Sequence, residues 1–187
     1  MISRALVAIF LAAAMAAAAP GQDFSAVLDG LQETTPVETP GNGTGTADFD
    51  PATNMLSVNL VFSDLIGTTT DSHIHCCVAA PASVGVALGF TATFPMGVTS
   101  GNFTNSYDLL NSSVYTAGFV TNFGGGTAAG ARDALLAGMR NGTAYFNIHT
   151  TERPGGEIRG AITPEPSSWI LALGGLGALA LYRRRTK

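Results

Sequence analysis

The chain predicts an all-β domain with one short helix, set between an N-terminal signal peptide and a C-terminal transmembrane helix. Three observations predict the β class. Residues 145–160, YFNIHTTERPGGEIRG, read as two strands about a turn, with Phe146 and Ile148 pointing one way and Tyr145, Asn147 and His149 the other. Residues 55–62 alternate in the same manner and place Leu56, Val58, Leu60 and Phe62 on one face. Glycine is frequent at 23 residues and charged residues make up only 12%, which suits short strands and turns better than helices.

Residues 1–21 are expected to be a secretory signal. Arg4 supplies the positive end, residues 5–16 are apolar, and Ala17, Ala18 and Ala19 offer a small-residue cleavage site. Residues 22–163 then form the domain, about 140 residues and enough for one core. Residues 23–30 read as its first strand, and residues 31–45, rich in Thr, Pro and Gly, as a loop. Residues 46–50 and 55–62 make a hairpin around Asp50, Pro51, Ala52, Thr53 and Asn54, with proline in a turn position. Asp48, Asp50 and Asn54 offer oxygen to calcium, but the stretch lacks the glycine and terminal glutamate of an EF-hand loop, so turn chemistry is the better reading.

Residues 72–77 are the next strand. An Ala-, Gly- and Ser-rich region follows, with strands expected at 84–93 and 115–120 and a polar surface loop at 99–113. Residues 127–139 are the one convincing helix of the domain. Thr127 caps it, Leu135, Leu136 and Met139 form its buried stripe, and Asn141 and Gly142 stop it. The closing hairpin turns at Pro154, Gly155 and Gly156. Ile158 and Ile162 carry the apolar face of its return strand, with Glu157 and Arg159 opposite.

Residues 164–187 are a separate module. Pro164, Glu165 and Pro166 make a rigid break, residues 169–182 (WILALGGLGALALY) are uncharged and apolar, and Arg183, Arg184, Arg185 and Lys187 close the chain. As a helix this run spans about 21 Å, against ~30 Å of hydrocarbon. Ser167, Ser168 and snorkelling arginines extend it enough for a thin membrane. The basic end stays in the cytoplasm by the positive-inside rule, so the domain lies outside and the tail reads as a stop-transfer anchor.

Charge excludes one class of partner. The formal net charge is −4, but residues 22–163 hold twelve acids, four arginines and no lysine, a balance of −8. Phosphate backbones repel such a domain, so nucleic-acid binding is not expected. Hydrolytic catalysis has no support either: there is no Gly-x-Ser-x-Gly, Gly124, Gly125 and Gly126 lack the Lys-Ser/Thr of a phosphate loop, and nothing builds a sugar cleft between Glu152 and Glu157.

Two resemblances cover most of the chain. Pro164, Glu165 and Pro166, an apolar helix containing Gly174, Gly175 and Gly177, and a terminal arginine cluster together resemble a PEP-CTERM sorting signal. That resemblance implies a Gram-negative bacterium, often one making exopolysaccharide, and processing near Pro164 by an exosortase that removes the helix. The inner membrane is then only a transient partner. The domain resembles the CHRD family, named for its occurrence in chordin. The matching pieces are residues 24–30 with Gln32 and Glu33, Ser72 to His75, residues 145–150, and Gly155 to Gly160. Members often continue after His75 with Gly and Pro, where this chain has Cys76 and Cys77. The family implies an all-β, immunoglobulin-like Greek-key sandwich and leaves biochemical activity open.

All three histidines lie in these motifs. His73 and His75 are two apart on a strand, so both imidazoles leave from one face while Ile74 leaves from the other; His149 likewise opposes Ile148. If the two strands are neighbours, three imidazoles converge, enough for copper or zinc with water or a fourth ligand. The arrangement is similar to the copper side of copper/zinc superoxide dismutases, whose full bimetallic site needs more histidines than three. The bland alternative sets the histidines on strand surfaces, bonded to backbone, Glu157 or Asn147. Glu157 is otherwise a partner that orients one imidazole.

Cys76 and Cys77 are the only cysteines. In an oxidising compartment they pair with each other, bind metal or bridge to another chain. Strand parity places Cys77, not Cys76, on the histidine face, and a vicinal disulfide is the favoured state. The expected function is a surface-sorted, non-catalytic envelope or matrix module with a protein or exopolysaccharide partner. A mononuclear copper or zinc protein, redox-active or not, is the alternative, and carbohydrate binding comes third.

Overall fold

The computed structural model describes residues 21–90 and 92–165. The expected signal segment up to residue 20 and the expected helix at 169–182 lie outside them. No helix among the described residues is long and apolar enough to cross a membrane.

β1 (Gln22–Asp29), β2 (Asn42–Asp50) and β3 (Met55–Ser63) form an antiparallel meander. Alternation turns Phe24 and Leu28 of β1, Ala47 and Phe49 of β2, and Leu56, Val58, Leu60 and Phe62 of β3 into the core. Asp50 closes the β2–β3 turn, its carboxylate accepting from Ala52 N at 2.8 Å and Thr53 Oγ1 at 2.7 Å. Asn54 takes a φ of 60°, a conformation that its short polar side chain tolerates.

The remaining strands are β4 (Thr69–Cys76), β5 (Val86–Gly89), β6 (Gly101–Asp108), β7 (Ala144–Thr150), β8 (Ile158–Ala161) and the short β9 (Thr163–Pro164). The sheet order is β5-β4-β7-β8-β1-β2-β3-β6, with β9 beside β1. The described strands thus make one hydrogen-bonded sheet, in place of the two packed sheets of the immunoglobulin-like Greek-key sandwich expected from resemblance.

Large side chains crossing the interior show how that sheet curls. β5 and β6 are its two edges, yet Phe90, just after β5, lies 5.0 Å from Phe103 and 5.9 Å from Tyr107 of β6, ring to ring. Phe146 of β7 reaches β2: a Cβ on Gly45 would stand 2.8 Å from its ring and 2.6 Å from Leu60 Cδ2. Glycine is therefore required at 45 for room rather than for backbone freedom. The result is a half-barrel filled by aromatic and aliphatic side chains, with Leu135, Leu136 and Met139 of α2 (Ala128–Arg140) completing its core.

Four expectations need correction. The loop expected at 31–45 ends before Asn42, where β2 begins. The polar stretch at 99–113 is not only a loop, because β6 runs through it. Phe103 and Tyr107 face inward between outward Asn102, Thr104, Ser106 and Asp108, and two apolar residues were too few to reveal the alternation. Residues 115–120 are not a strand. Tyr115 makes one bridge to Leu88, and Thr116 then caps α1 (Ala117–Asn122), its Oγ1 accepting from Phe119 N at 3.2 Å. The strand expected at 84–93 shortens to β5. The helix at 127–139 holds to within one residue, with Thr127 Oγ1 accepting from Gly130 N at 3.0 Å.

Gly45→Val should lower stability by about 2 kcal/mol through overpacking against Leu60 and Phe146. Urea denaturation would show this as a lower midpoint, and an unchanged midpoint would refute the close approach of β7 to β2.

Candidate metal centre

β4 lies between β5 and β7, and its register with β7 pairs Asp71 with His149, His73 with Asn147, and His75 with Tyr145. His73, His75 and His149 therefore leave from the same face, opposite the buried Ile74, Phe146 and Ile148. Ring centroids lie 4.7 Å apart for His73 and His75, 4.6 Å for His73 and His149, and 6.5 Å for His75 and His149. One ring nitrogen from each comes within 4.8 Å of the others.

Hydrogen bonding sets the tautomer of each ring. His75 Nδ1 lies 2.6 Å from Val84 O and His149 Nδ1 lies 2.8 Å from Pro154 O. A carbonyl only accepts, so both rings carry their proton on Nδ1 and offer Nε2. His73 Nε2 lies 3.4 Å from Asp71 Oδ2, which leaves its Nδ1 as the lone pair. His73 Nδ1 and His149 Nε2 are both buried with no partner among the described residues. Burial, followed by the neighbouring His149 and His75, lowers the His73 pKa to about 4, although Asp71 pulls it up. Burial also lowers that of His75, against the raising effect of Val84 O. Neutral imidazoles with inward lone pairs are a donor set for copper or zinc, not for calcium or magnesium.

The face is polar yet closed. His73 and His75 are only 7% and 8% exposed. Arg159 of β8, opposite Asn147, fastens two crossing segments over it. Its Nε donates to Gln32 O, Nη1 to Thr34 Oγ1 at 3.1 Å and Ala82 O at 3.4 Å, and Nη2 to Pro81 O at 3.0 Å. The guanidinium also sits 4.7 Å above the Tyr145 ring, which stacks on His75 at 4.8 Å with 13° between planes. Arg159, Tyr145, Asp71 and Glu33 were not singled out from sequence as parts of the site. The strand parity that aligned the histidines already put Tyr145 on their side, whereas Asp71 lies one residue before the strand expected at 72–77 and enters because β4 starts at Thr69.

Two predicted partners lie elsewhere. Glu157 does not orient a histidine. It is fully buried, and its carboxylate accepts from Thr39 Oγ1 at 2.7 Å, Ile66 N at 2.8 Å, Gly67 N at 3.3 Å and Thr150 Oγ1 at 2.7 Å. Those donors draw it inward, where it joins the loops after β1 and β3 to β7. Cys77 does not reach the histidine face either. β4 ends at Cys76, and the two sulfurs sit within bonding distance of each other against Ala134 O and Gly138 of α2. Asp48, Asp50 and Asn54 remain far from the histidines in sequence and serve the β2 strand and its turn.

The residues that meet about this face, His73, His75, Tyr145, Asn147, His149 and Arg159, lie in the motifs of a known domain. The CHRD domain matches residues 24–162. The chain belongs to the CHRD family. A PEP-CTERM protein-sorting motif matches residues 163–185, directly after the CHRD domain. That motif marks a protein exported to the cell surface or beyond in Gram-negative bacteria, and it implies processing by an exosortase. No curated protein and no solved structure matches the chain.

Two outcomes follow for the metal-free protein. The folded state binds fewer protons at His73 than the unfolded state between pH 6.5 and about 4. Stability is therefore full above pH 6.5 and falls as pH drops through that window, by about 3 kcal/mol at 1.36 kcal/mol per unit. Denaturation at stepped pH should show this slope, and His73→Asn should flatten it. Glu157→Ala leaves four donors facing a void and should cost about 3 kcal/mol or more. A loss below about 1 kcal/mol would mean that the carboxylate does not hold the loops.

Proposed function

We propose that this CHRD protein is carried to the outer surface or extracellular matrix of a Gram-negative cell and there acts as a binding module holding one copper or zinc ion on His73, His75 and His149. The observation that carries the reading is the set of three imidazoles, each with a ring nitrogen within 4.8 Å of the others, together with His73 Nδ1 and His149 Nε2, which are buried and without a partner among the described residues. Metal–nitrogen bonds of about 2.0–2.1 Å place neighbouring nitrogens roughly 3.4 Å apart in a tetrahedral set, so His73, His75 and His149 would hold an ion with only a small inward shift of their rings. Copper(II) outcompetes zinc at an imidazole set on intrinsic affinity. Asp71, Val84 O and Pro154 O hold the three rings by their other nitrogens, the arrangement that sets tautomer and orientation in metal centres.

The rest of the reading follows the chain outward. Residues 1–21 direct export, and residues 164–187 hold the protein in the inner membrane until an exosortase cuts near Pro164, Glu165 and Pro166. Cys76 and Cys77 form a vicinal disulfide in that oxidising space. An envelope or matrix component, protein or exopolysaccharide, is the partner.

Metal analysis of the exported protein, purified without added metal or a histidine tag, is the test. Near one equivalent of copper or zinc is expected, and almost none in a His73→Ala, His149→Ala double variant. If neither protein takes up metal after reloading with copper and zinc, the domain is a structural or adhesive module and the metal reading is wrong.

A further inference from the structure

The sorting motif begins inside the fold. It matches residues 163–185, yet β9 pairs with β1, setting Thr163 opposite Ser25 and Pro164 opposite Phe24. One residue further, Glu165 N donates to Asp23 O at 3.0 Å. Paired positions in an antiparallel ladder alternate between bonded and non-bonded, so Pro164 stands where an N–H would turn away from β1 and its missing donor costs the ladder nothing. Ile162, just before β9, is fully buried, and its N–H donates to Ala144 O at 2.9 Å. Beyond that anchor Thr163 and Pro164 are exposed, so little apolar surface holds them. Three carboxylates meet at the same place. Asp23 pairs with Asp48 of β2, and the row continues to Glu165 on the other side of β1. Like charges on adjacent strands oppose pairing. Burial raises the Asp48 carboxyl first, and the nearby Asp23 and Glu165 add to it. Arg140, at the end of α2, reaches this end of β1, but its Nε donates to Gln22 Oε1 at 2.8 Å.

We propose that β1 is a latch on the sorting motif: the processing enzyme reaches its cut near Pro164 only when β9 and Glu165 leave β1, and the carboxylates of Asp23 and Asp48 beside Glu165 keep that latch weak. The proposal rests on the reading that an exosortase cuts near Pro164, and it adds what controls access to the cut. An enzyme that takes its substrate as an extended strand needs the same backbone groups that β1 holds. Glu165 N cannot donate to Asp23 O and to an enzyme at once. Opening does not require the domain to unfold, because Ile162 stays anchored on β7. Segments held by few bonds and little buried apolar surface open locally, at far less cost than global unfolding. The row of like charges lowers that cost further. The latch acts before the peptide bond is broken and leaves that step to the enzyme.

The test follows processing of the whole chain in cells that make the exosortase, read by pulse labelling and by the mass of the product. Ser25→Cys with Thr163→Cys sets a disulfide across a directly paired position and locks the latch. Peptide mapping confirms the bridge. The comparison is Thr163→Cys alone, which carries the same change in the motif without the bridge. The locked protein should stay uncut while the single variant is processed. Asp23→Asn with Asp48→Asn leaves the motif untouched, removes the repulsion and should slow processing about threefold. If the locked variant does not fold, this second pair carries the test. A locked protein cut as fast as Thr163→Cys overturns the latch, and so does an unchanged or faster rate in the asparagine pair. A wild-type chain that is never cut overturns the cleavage reading and the latch together. A wild-type chain that is cut, with a lock that has no effect, overturns the latch alone.

Discussion

The register of β4 against β7 is the constraint on which the histidine face depends. Ile74 pairs with Phe146 and Ser72 with Ile148, and all four side chains are fully buried. The same register sets His73 beside Asn147, His75 beside Tyr145 and His149 beside Asp71. A slip of one residue would carry the imidazoles into an aromatic core and bring Ile74 out. Burial of the apolar residues therefore fixes the spacing of the histidines, and no bound ion is needed to assemble them.

Closure of that face follows from Arg159. A strand face turned away from the core is ordinarily wet, and wet imidazoles titrate near neutral pH. Here the guanidinium ties the backbone of Gln32, Pro81 and Ala82 and the hydroxyl of Thr34 across the sheet. The stack of Arg159 on Tyr145 and Tyr145 on His75 fills the space beneath. Water exclusion then lowers the pKa of His73 and His75. One physical cause, exclusion of the face from solvent, thus favours the neutral form of both rings.

Period-two alternation made much of this legible. It placed His73, His75 and His149 on faces opposite Ile74 and Ile148, and it found β1, β3, β4, β7 and β8. It did not contain the order of the strands. β4 and β7 are separated by nearly seventy residues, and their pairing comes from a curled sheet whose edges meet through Phe90, Phe103 and Tyr107. Where alternation was thin, the reading failed. β6 carries only two large inward side chains, and α1 begins at a threonine cap that β-branched neighbours obscured. Glu157 misled for another reason. Its position opposite the apolar residues said outward, but four donors from three segments draw the carboxylate inside. Such satisfaction is a tertiary property that neighbouring residues in the chain do not encode.

Charge separates how a cation reaches this domain from how it would be held. The balance of −8 across residues 22–163 favours cations in the surrounding solution, though salt limits that field to about 8–10 Å. At the histidine face the donors are neutral. The adjacent carboxylate, Asp71, already accepts from Ser72 N at 2.8 Å and pairs with His73, so it acts through the imidazole rather than on an ion directly. Arg159, one ring beyond His75, adds positive charge on the far side. An ion bound here would keep nearly all of its own charge in a poorly hydrated place. Hard cations, which depend on charged oxygen, lose most by that exchange. Metals that form strong bonds to neutral nitrogen would lose least, so the three imidazoles and the electrostatics around them would both favour the same small group of ions.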